Sequence, residues 1–281
     1  MAKLCKTAGI FKQYGVESDV VNFNGRLIVL YTPRTPDESN LLIAADYFTG
    51  DRIAVADFTG MSLGCAYMSG NILHYWATVN VATPGNKVVH RTTSDLINWS
   101  TPSDAWVAGH PQQKIFNTSV CNVGGYFVMA YETSEPYYGY VDFNIRFLSS
   151  TYLDGPWSPI SGVFGSSIYV ACPKISYANG YLYMHYLVVD NGVYKTKVAR
   201  VSNIGNVGNM ASWQISNSYA LQPTLPEELI NTSDIDFSEF NGTTYLTYAA
   251  GDQSIGTSNA MDLKQAYYPD TVANYLQSFF P

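Results

Sequence analysis

The stretch DIDFSEFNGTTYLTYA (234–249) decides the fold: two runs of alternating apolar and polar residues flank an Asn-Gly pair. Alternation with a period of two is the mark of a half-buried strand, and Asn-Gly supplies the positive φ angles that a two-residue hairpin turn needs. Outward from it the same shape occurs four more times, as ESDVVNFNGRLIVLY (17–31), SLGCAYMSGNILHYWA (62–77), NTSVCNVGGYFVMAYE (117–132) and CPKISYANGYLYMHYL (172–187). The turns there read N-G, S-G, G-G and N-G, each expected as a two-residue hairpin. Successive copies start 45 to 62 residues apart, the length of four antiparallel strands.

Third strands follow several hairpins and end in a Ser/Asp turn with a Trp folded back on the sheet. VVHRTTSDLINW (88–99) is the clearest case, and IRFLSSTYLDGPW (145–157) and VARVSNIGNVGNMASW (198–213) are looser ones. Five such units in a ring make an all-β, five-bladed β-propeller, with no linker to split residues 1–281 into more than one domain. A two-sheet sandwich also uses short strands, but it does not require one hairpin five times. The segment TVANYLQSFFP (271–281) alternates poorly and reads either as a short helix or as the piece that closes the ring.

Composition agrees with an all-β chain: 23 Tyr, 13 Phe and 22 Gly accompany only 13% charged residues. A net charge of −7 gives no basic footprint for nucleic acid, and an acidic cleft suits a neutral ligand. No apolar run is long enough to span a membrane, and MAKLCKTAGI lacks the apolar core of a secretory signal, so a soluble chain, taken as a monomer, is expected. Cys5, Cys65, Cys121 and Cys172 form no CxxC pair and stand at no metal-ligand spacing, which favours free thiols over a disulfide.

The blade pattern of early strand, Asn-Gly turn, Tyr-rich second strand and S-x-D-L-x-x-W resembles the five-bladed glycoside hydrolases: the arabinanases, xylosidases and fructosidases of families 43, 62, 32 and 68. FNTSVCNVGGYFVMAYETSEP (116–136), FNIRFLSS (143–150), YVACPKISYANGYLYMHYL (169–187), NTSDIDFSEFNGTTYLTYAAGDQ (231–253) and the ending SFFP look more specifically like a little-characterised set of glycosidases in that group. The likeness runs from Glu17 to the C-terminus. It implies cleavage of glycosidic bonds in a carbohydrate substrate by paired carboxyl groups, with no organic cofactor.

In a propeller the hairpin starts converge on one end of the central channel. Those starts are Glu17, Ser62, Asn117, Cys172 and Asp234, with Asp19, Gly64, Ser119, Lys174 and Asp236 two residues on. Acids are scarce in this chain, yet four of these ten positions carry one. The resemblance to family 43 places a base at Glu17, but that family's second carboxylate falls on Asn117 and its acidic partner on Ala171 or Cys172. The acid is therefore sought at Glu132, whose neighbours Tyr126, Phe127 and Tyr131 would raise its pKa by excluding water, with Asp234 assisting.

Asp19, Asn117, Lys174, Asp236, Arg146 and His185 are the candidate substrate contacts. Competing roles stand beside these. Asp234 and Asp236 can simply accept hydrogen bonds at the channel mouth, around a water or a structural cation such as calcium. Glu17 and Asp19 can cap a turn, Glu132 can pair with Arg146, Lys174 can pair with the acids, and His185 can be a core side chain. Two non-enzymatic alternatives remain: a carbohydrate-binding propeller, and an assembly propeller that docks protein on its face.

Overall fold

The computed structural model describes residues 4–79, 85–253 and 261–280; Pro281, the last residue of the expected closing segment, lies outside them. It is a five-bladed propeller. Blade one is built from Gly15–Phe23, Arg26–Pro33, Leu41–Asp46 and Arg52–Asp57, and blade two from Met61–Ser69, Ile72–Val79, Lys87–Thr93 and Ser103–Val107. Blade three comprises Lys114–Asn122, Phe127–Ser134, Asn144–Ser150 and Ser158–Phe164. Blade four comprises Ala171–Ala178, Tyr181–Asp190, Val193–Val201 and Gln214–Leu221. Blade five takes Asn231–Phe240, Thr243–Gly251 and Met261–Tyr268, and its outermost strand is the N-terminal Cys5–Lys6, paired antiparallel to Met261–Tyr268.

The ring is thus closed by the N-terminus. The C-terminal segment forms the helix Val272–Gln277, with Thr271 capping Asn274 N–H. Lys6 locks the closure: its ammonium donates to both carboxylate oxygens of buried Glu228, at 2.7 and 2.8 Å.

Strand alternation explains why blades stack. In Phe127–Ser134, Val128 and Ala130 face blade four and pack with Ile175, Leu182 and Met184, while Met129 and Tyr131 face blade two and pack with Trp76 and Val88. Each boundary between neighbouring blades has its own apolar cluster, including the closing one between blades five and one, where Leu263 meets Val29 and Tyr31. Inner strands are buried on both faces, so a one-residue slip would disrupt two clusters at once.

The Asn-Gly hairpins form as expected: Asn24-Gly25, Asn179-Gly180 and Asn241-Gly242 all have positive φ at both positions. Blade two instead turns on Gly70-Asn71, and blade three uses a four-residue loop, 123–126, because Asn122 pairs with Phe127. The expected Trp turn is present as well: Asp95 Oδ1 accepts the Ile97 and Asn98 N–H groups, and Trp99 Nε1 donates to Leu96 O. All four cysteines are free. No helix among the described residues is long and apolar enough to cross a membrane.

Two of the expected substrate contacts lie elsewhere. His185 is fully buried against the C-terminal helix, with Nε2 3.1 Å from the Tyr275 hydroxyl, because its side of the strand faces the cluster between blades four and five. Burial pushes its imidazole down to about 3, so it stays neutral. Arg146 donates Nε to Glu135 at 2.7 Å and Nη1 to Gly162 O, which places it at the top of blade three and leaves Glu132 without it.

Candidate active site

Every inner strand carries a β-bulge at the same height. The pairing with the second strand shifts between Val16 and Asp19, Ser62 and Cys65, Ile115 and Thr118, Ala171 and Lys174, and Ser233 and Asp236. At each, two residues oppose one, which twists the strand and re-aims the side chains. In four blades the first bulge residue is left-handed: Glu17, Leu63, Cys172 and Asp234 have φ between 48° and 55°. Non-glycine residues hold that conformation at a cost of about 1–3 kcal/mol each, borne where the surroundings over-determine it. The bulges correct the expected register by one residue in two blades, since Leu63 and Phe116 are the counterparts of Glu17, in place of Ser62 and Asn117.

The bulges surround a cup on the axis of about 30 Å3, room for one water. Glu17, Asp19, Asn117, Cys172, Lys174, Asp234 and Asp236 all line it, so most of the residues chosen from the sequence do converge. Gly64 lines it too, and only glycine fits there: a Cβ would lie 2.4 Å from the Tyr75 ring and 2.5 Å from Trp76 O.

The site has two layers. In the lower one, side chains of one blade accept backbone N–H groups of the next: Asp236 Oδ1 from Val20, Asp19 Oδ1 from Ala66 and Ser119 Oγ from Ile175, each at 3.0 Å. Lys174 forms an ion pair with Asp236, and Asp19 Oδ2 is buried without a partner. Burial raises both Asp19 and Asp236; the Asp236 charge raises Asp19 further, while Lys174 pulls both down. Among the described residues no group of three or more His, Cys, Asp or Glu side chains is arranged to hold a metal ion.

In the upper layer Glu17 and Asp234 line the cup, whereas Glu132 lies outside the lining, buried behind Asn117 and Cys172. Glu17 Oε2 accepts Leu63 N–H at 3.3 Å, and Oε1 pairs with Arg34. Glu132 sits on the second strand of blade three, opposite the two bulge residues Phe116 and Asn117, and points back through them. Its Oε2 accepts Cys172 N–H at 2.7 Å and Asn117 Nδ2 at 3.0 Å. Asp234 accepts the Ser233 hydroxyl at 2.6 Å. Glu17 in blade one and Glu132 in blade three thus do the same thing: each receives the amide of a left-handed residue in the following blade.

Their electrostatic surroundings differ. Burial raises Glu17, Arg34 opposes this and Asp234 adds to it. Burial pushes Glu132 up to about 7, only neutral donors oppose it, and the charges of Asp234 and Glu17 add to the rise. The cause is burial between blades three and four; Tyr126 and Phe127 lie at the far end of the hairpin, and Tyr131 faces blade two. The Cys172 thiol is also raised well above its ordinary value, by burial and then by Asp234 and Glu132, and it stays protonated.

An α-L-arabinofuranosidase from Lactobacillus brevis superposes with a TM-score of 0.67 at 10% identity, over 91% of each chain. An α-L-arabinofuranosidase from Podospora anserina in complex with cellotriose gives 0.66 at 9% identity over 95% of this chain and 94% of that one. A thermostable family-43 glycoside hydrolase gives 0.67 at 9%, over 93% and 91%. The fold is the one these glycosidases share. No protein-family model matches the chain, and no curated protein matches it in sequence.

Two features around the cup gave no signal in the sequence. Arg34 stands just beyond the second strand of blade one, where nothing local marks it as a partner for Glu17. A wall of half-buried rings flanks the site on the side of blades three and four: Phe116 on Phe143 at 4.7 Å, Phe143 on Tyr169 at 5.8 Å and Tyr169 on Tyr194 at 6.3 Å. Burial raises the Tyr169 phenol, and the nearby charges of Glu132 and Asp234 add to the rise.

Proposed function

We propose that the protein is a glycoside hydrolase acting on oligo- or polysaccharides from the upper layer of the cup. The observation that carries this is the unequal pair of buried glutamates, Glu17 beside a cation and Glu132 beside neutral donors only. Glycosidic cleavage needs one carboxyl group that keeps its proton near neutral pH and another that does not. Glu132, pushed up to about 7, is the general acid that protonates the leaving oxygen. Glu17, paired with Arg34, is the base or nucleophile, and Asp234 orients the sugar and tunes its neighbours. The cup itself is too small for a sugar, so the ring rests on its mouth against Tyr169 and Phe143. Asp19, Asp236 and Lys174 hold the blades together beneath it. Such acid–base chemistry requires no organic cofactor.

Release of reducing sugar from aryl glycosides and from plant and algal oligosaccharides tests the reading. On the oligosaccharides, turnover that disappears in both Glu17→Gln and Glu132→Gln is expected. A non-catalytic carbohydrate-binding propeller is favoured by one observation: Glu17 is 8% exposed and engaged by Arg34 and Leu63 N–H. Binding without turnover, indifferent to Glu17→Gln, would establish that second reading.

A further inference from the structure

The loop that joins the second and third strands of blade three, residues 135–143, stands on the same face as the cup. It continues the strand that carries Glu132 and ends at Phe143 in the aromatic wall. Glu135 stands three positions after Glu132, about 10 Å of extended chain. The loop presents Tyr137, Tyr138 and Tyr140 in a row, with ring centroids 4.5 Å apart for the first pair and 5.3 Å for the second.

This row is fixed from beneath. His110 stacks on Tyr137 at 3.6 Å, and the Tyr137 hydroxyl donates to Glu135 Oε1 at 2.9 Å. Glu135 Oε2 accepts Arg146 Nε, and the Arg146 guanidinium lies 6.0 Å from the centre of the Tyr138 ring. Glu135 is 1% exposed, whereas Tyr138 is 60% exposed. A half-buried ion pair beside Tyr138, and an imidazole stacked on its neighbour Tyr137, therefore hold in place a ring that is itself mostly exposed. Ordering a side chain costs entropy, and here burial returns little of it. An ordered, exposed aromatic face lowers the cost of binding something flat. Arg146 neutralises Glu135, so the ligand it suits is uncharged, with an apolar face and hydroxyl edges.

We propose that Tyr138, flanked by Tyr137 and Tyr140, forms a ledge that is a second sugar-binding subsite, stacking a neutral ring of an oligosaccharide whose reacting end lies at the cup. This rests on the glycosidase reading and narrows it to chains in preference to monoglycosides. The test compares kcat/KM of the wild type and Tyr138→Ala on an aryl monoglycoside and on neutral arabino-, xylo- and fructo-oligosaccharides of three and four units. Tyr138→Ala is expected to lose about tenfold more on the longer substrates than on the monoglycoside. Tyr138→Phe, which keeps the ring, is expected to retain the wild-type preference.

Equal losses on both substrates, or no loss on either, overturn the ledge and leave the glycosidase reading intact. If the wild type cleaves none of these compounds, the oligosaccharides are titrated calorimetrically against wild type and Tyr138→Ala. An affinity about tenfold weaker in the variant then upholds the ledge although the hydrolase reading has failed. Binding that is equal in the two proteins, or absent from both, rejects the ledge too.

Discussion

The rims of blades one and three solve one problem in two ways. Each presents a buried glutamate that accepts the amide of a left-handed residue in the next blade, Leu63 for Glu17 and Cys172 for Glu132. Blade one adds a guanidinium from Arg34; blade three adds the carboxamide of Asn117. A cation favours the charged carboxylate far more than a neutral donor does, so equal burial yields two different acids. Function in such a cup depends less on which residue types are present than on the single partner each one is given.

The largest effect that could break this comparison is loss of turnover. Glu132→Gln and Glu17→Gln are each expected to lower kcat by about two to four orders of magnitude, measured on a substrate with a poor leaving group. Activated aryl glycosides, which need little acid help, should rescue Glu132→Gln and leave Glu17→Gln inactive. Rescue of both, or of neither, would mean that the two glutamates are not divided into acid and base.

Stability gives a check that needs no substrate. Glu132 binds its proton more tightly folded than unfolded between its ordinary value of 4.5 and about 7, so its contribution to stability falls as pH rises through that window. The fall amounts to about 3 kcal/mol and is complete above it. Glu132→Gln should therefore gain in melting temperature over wild type on going from pH 4.5 to pH 8, and a flat difference would show that Glu132 is not held protonated.

Smaller effects sharpen the contrast. Arg34→Gln removes the cation from Glu17, raising its pKa further; about a tenfold fall in kcat/KM is expected, with the acidic limb of the pH profile moved upward. Asn117→Asp sets a like charge beside Glu132 and should move the other limb up by roughly one unit. An unshifted limb in either variant would remove that partner from the account.

Much of this was legible in the chain itself. Three Asn-Gly turns adopt the conformation their side chains favour, the Asp95 turn and Trp99 close as their spacing implies, and alternation assigns Val128 and Met129 to opposite boundaries. Those are local rules. Glu132, Glu17 and Asp234 could be nominated because an acid at a hairpin end in a chain poor in charge is conspicuous. Arg34 and Tyr169 gave no such signal, since a cation after a strand and a tyrosine in a loop are ordinary. His185 and Arg146 misled for the same reason: their surroundings belong to other segments, the C-terminal helix and Glu135.

Sequence by itself determined five hairpins, their spacing, the all-β ring and a short set of acids from which to choose. Tertiary structure alone decided the bulge register, the N-terminal strand that closes blade five, and which glutamate meets a cation. The physical reason is range: turn and strand preferences are set by a residue and its near neighbours, whereas burial and ionic partners come from blades tens of residues away, brought together only when the circle closes.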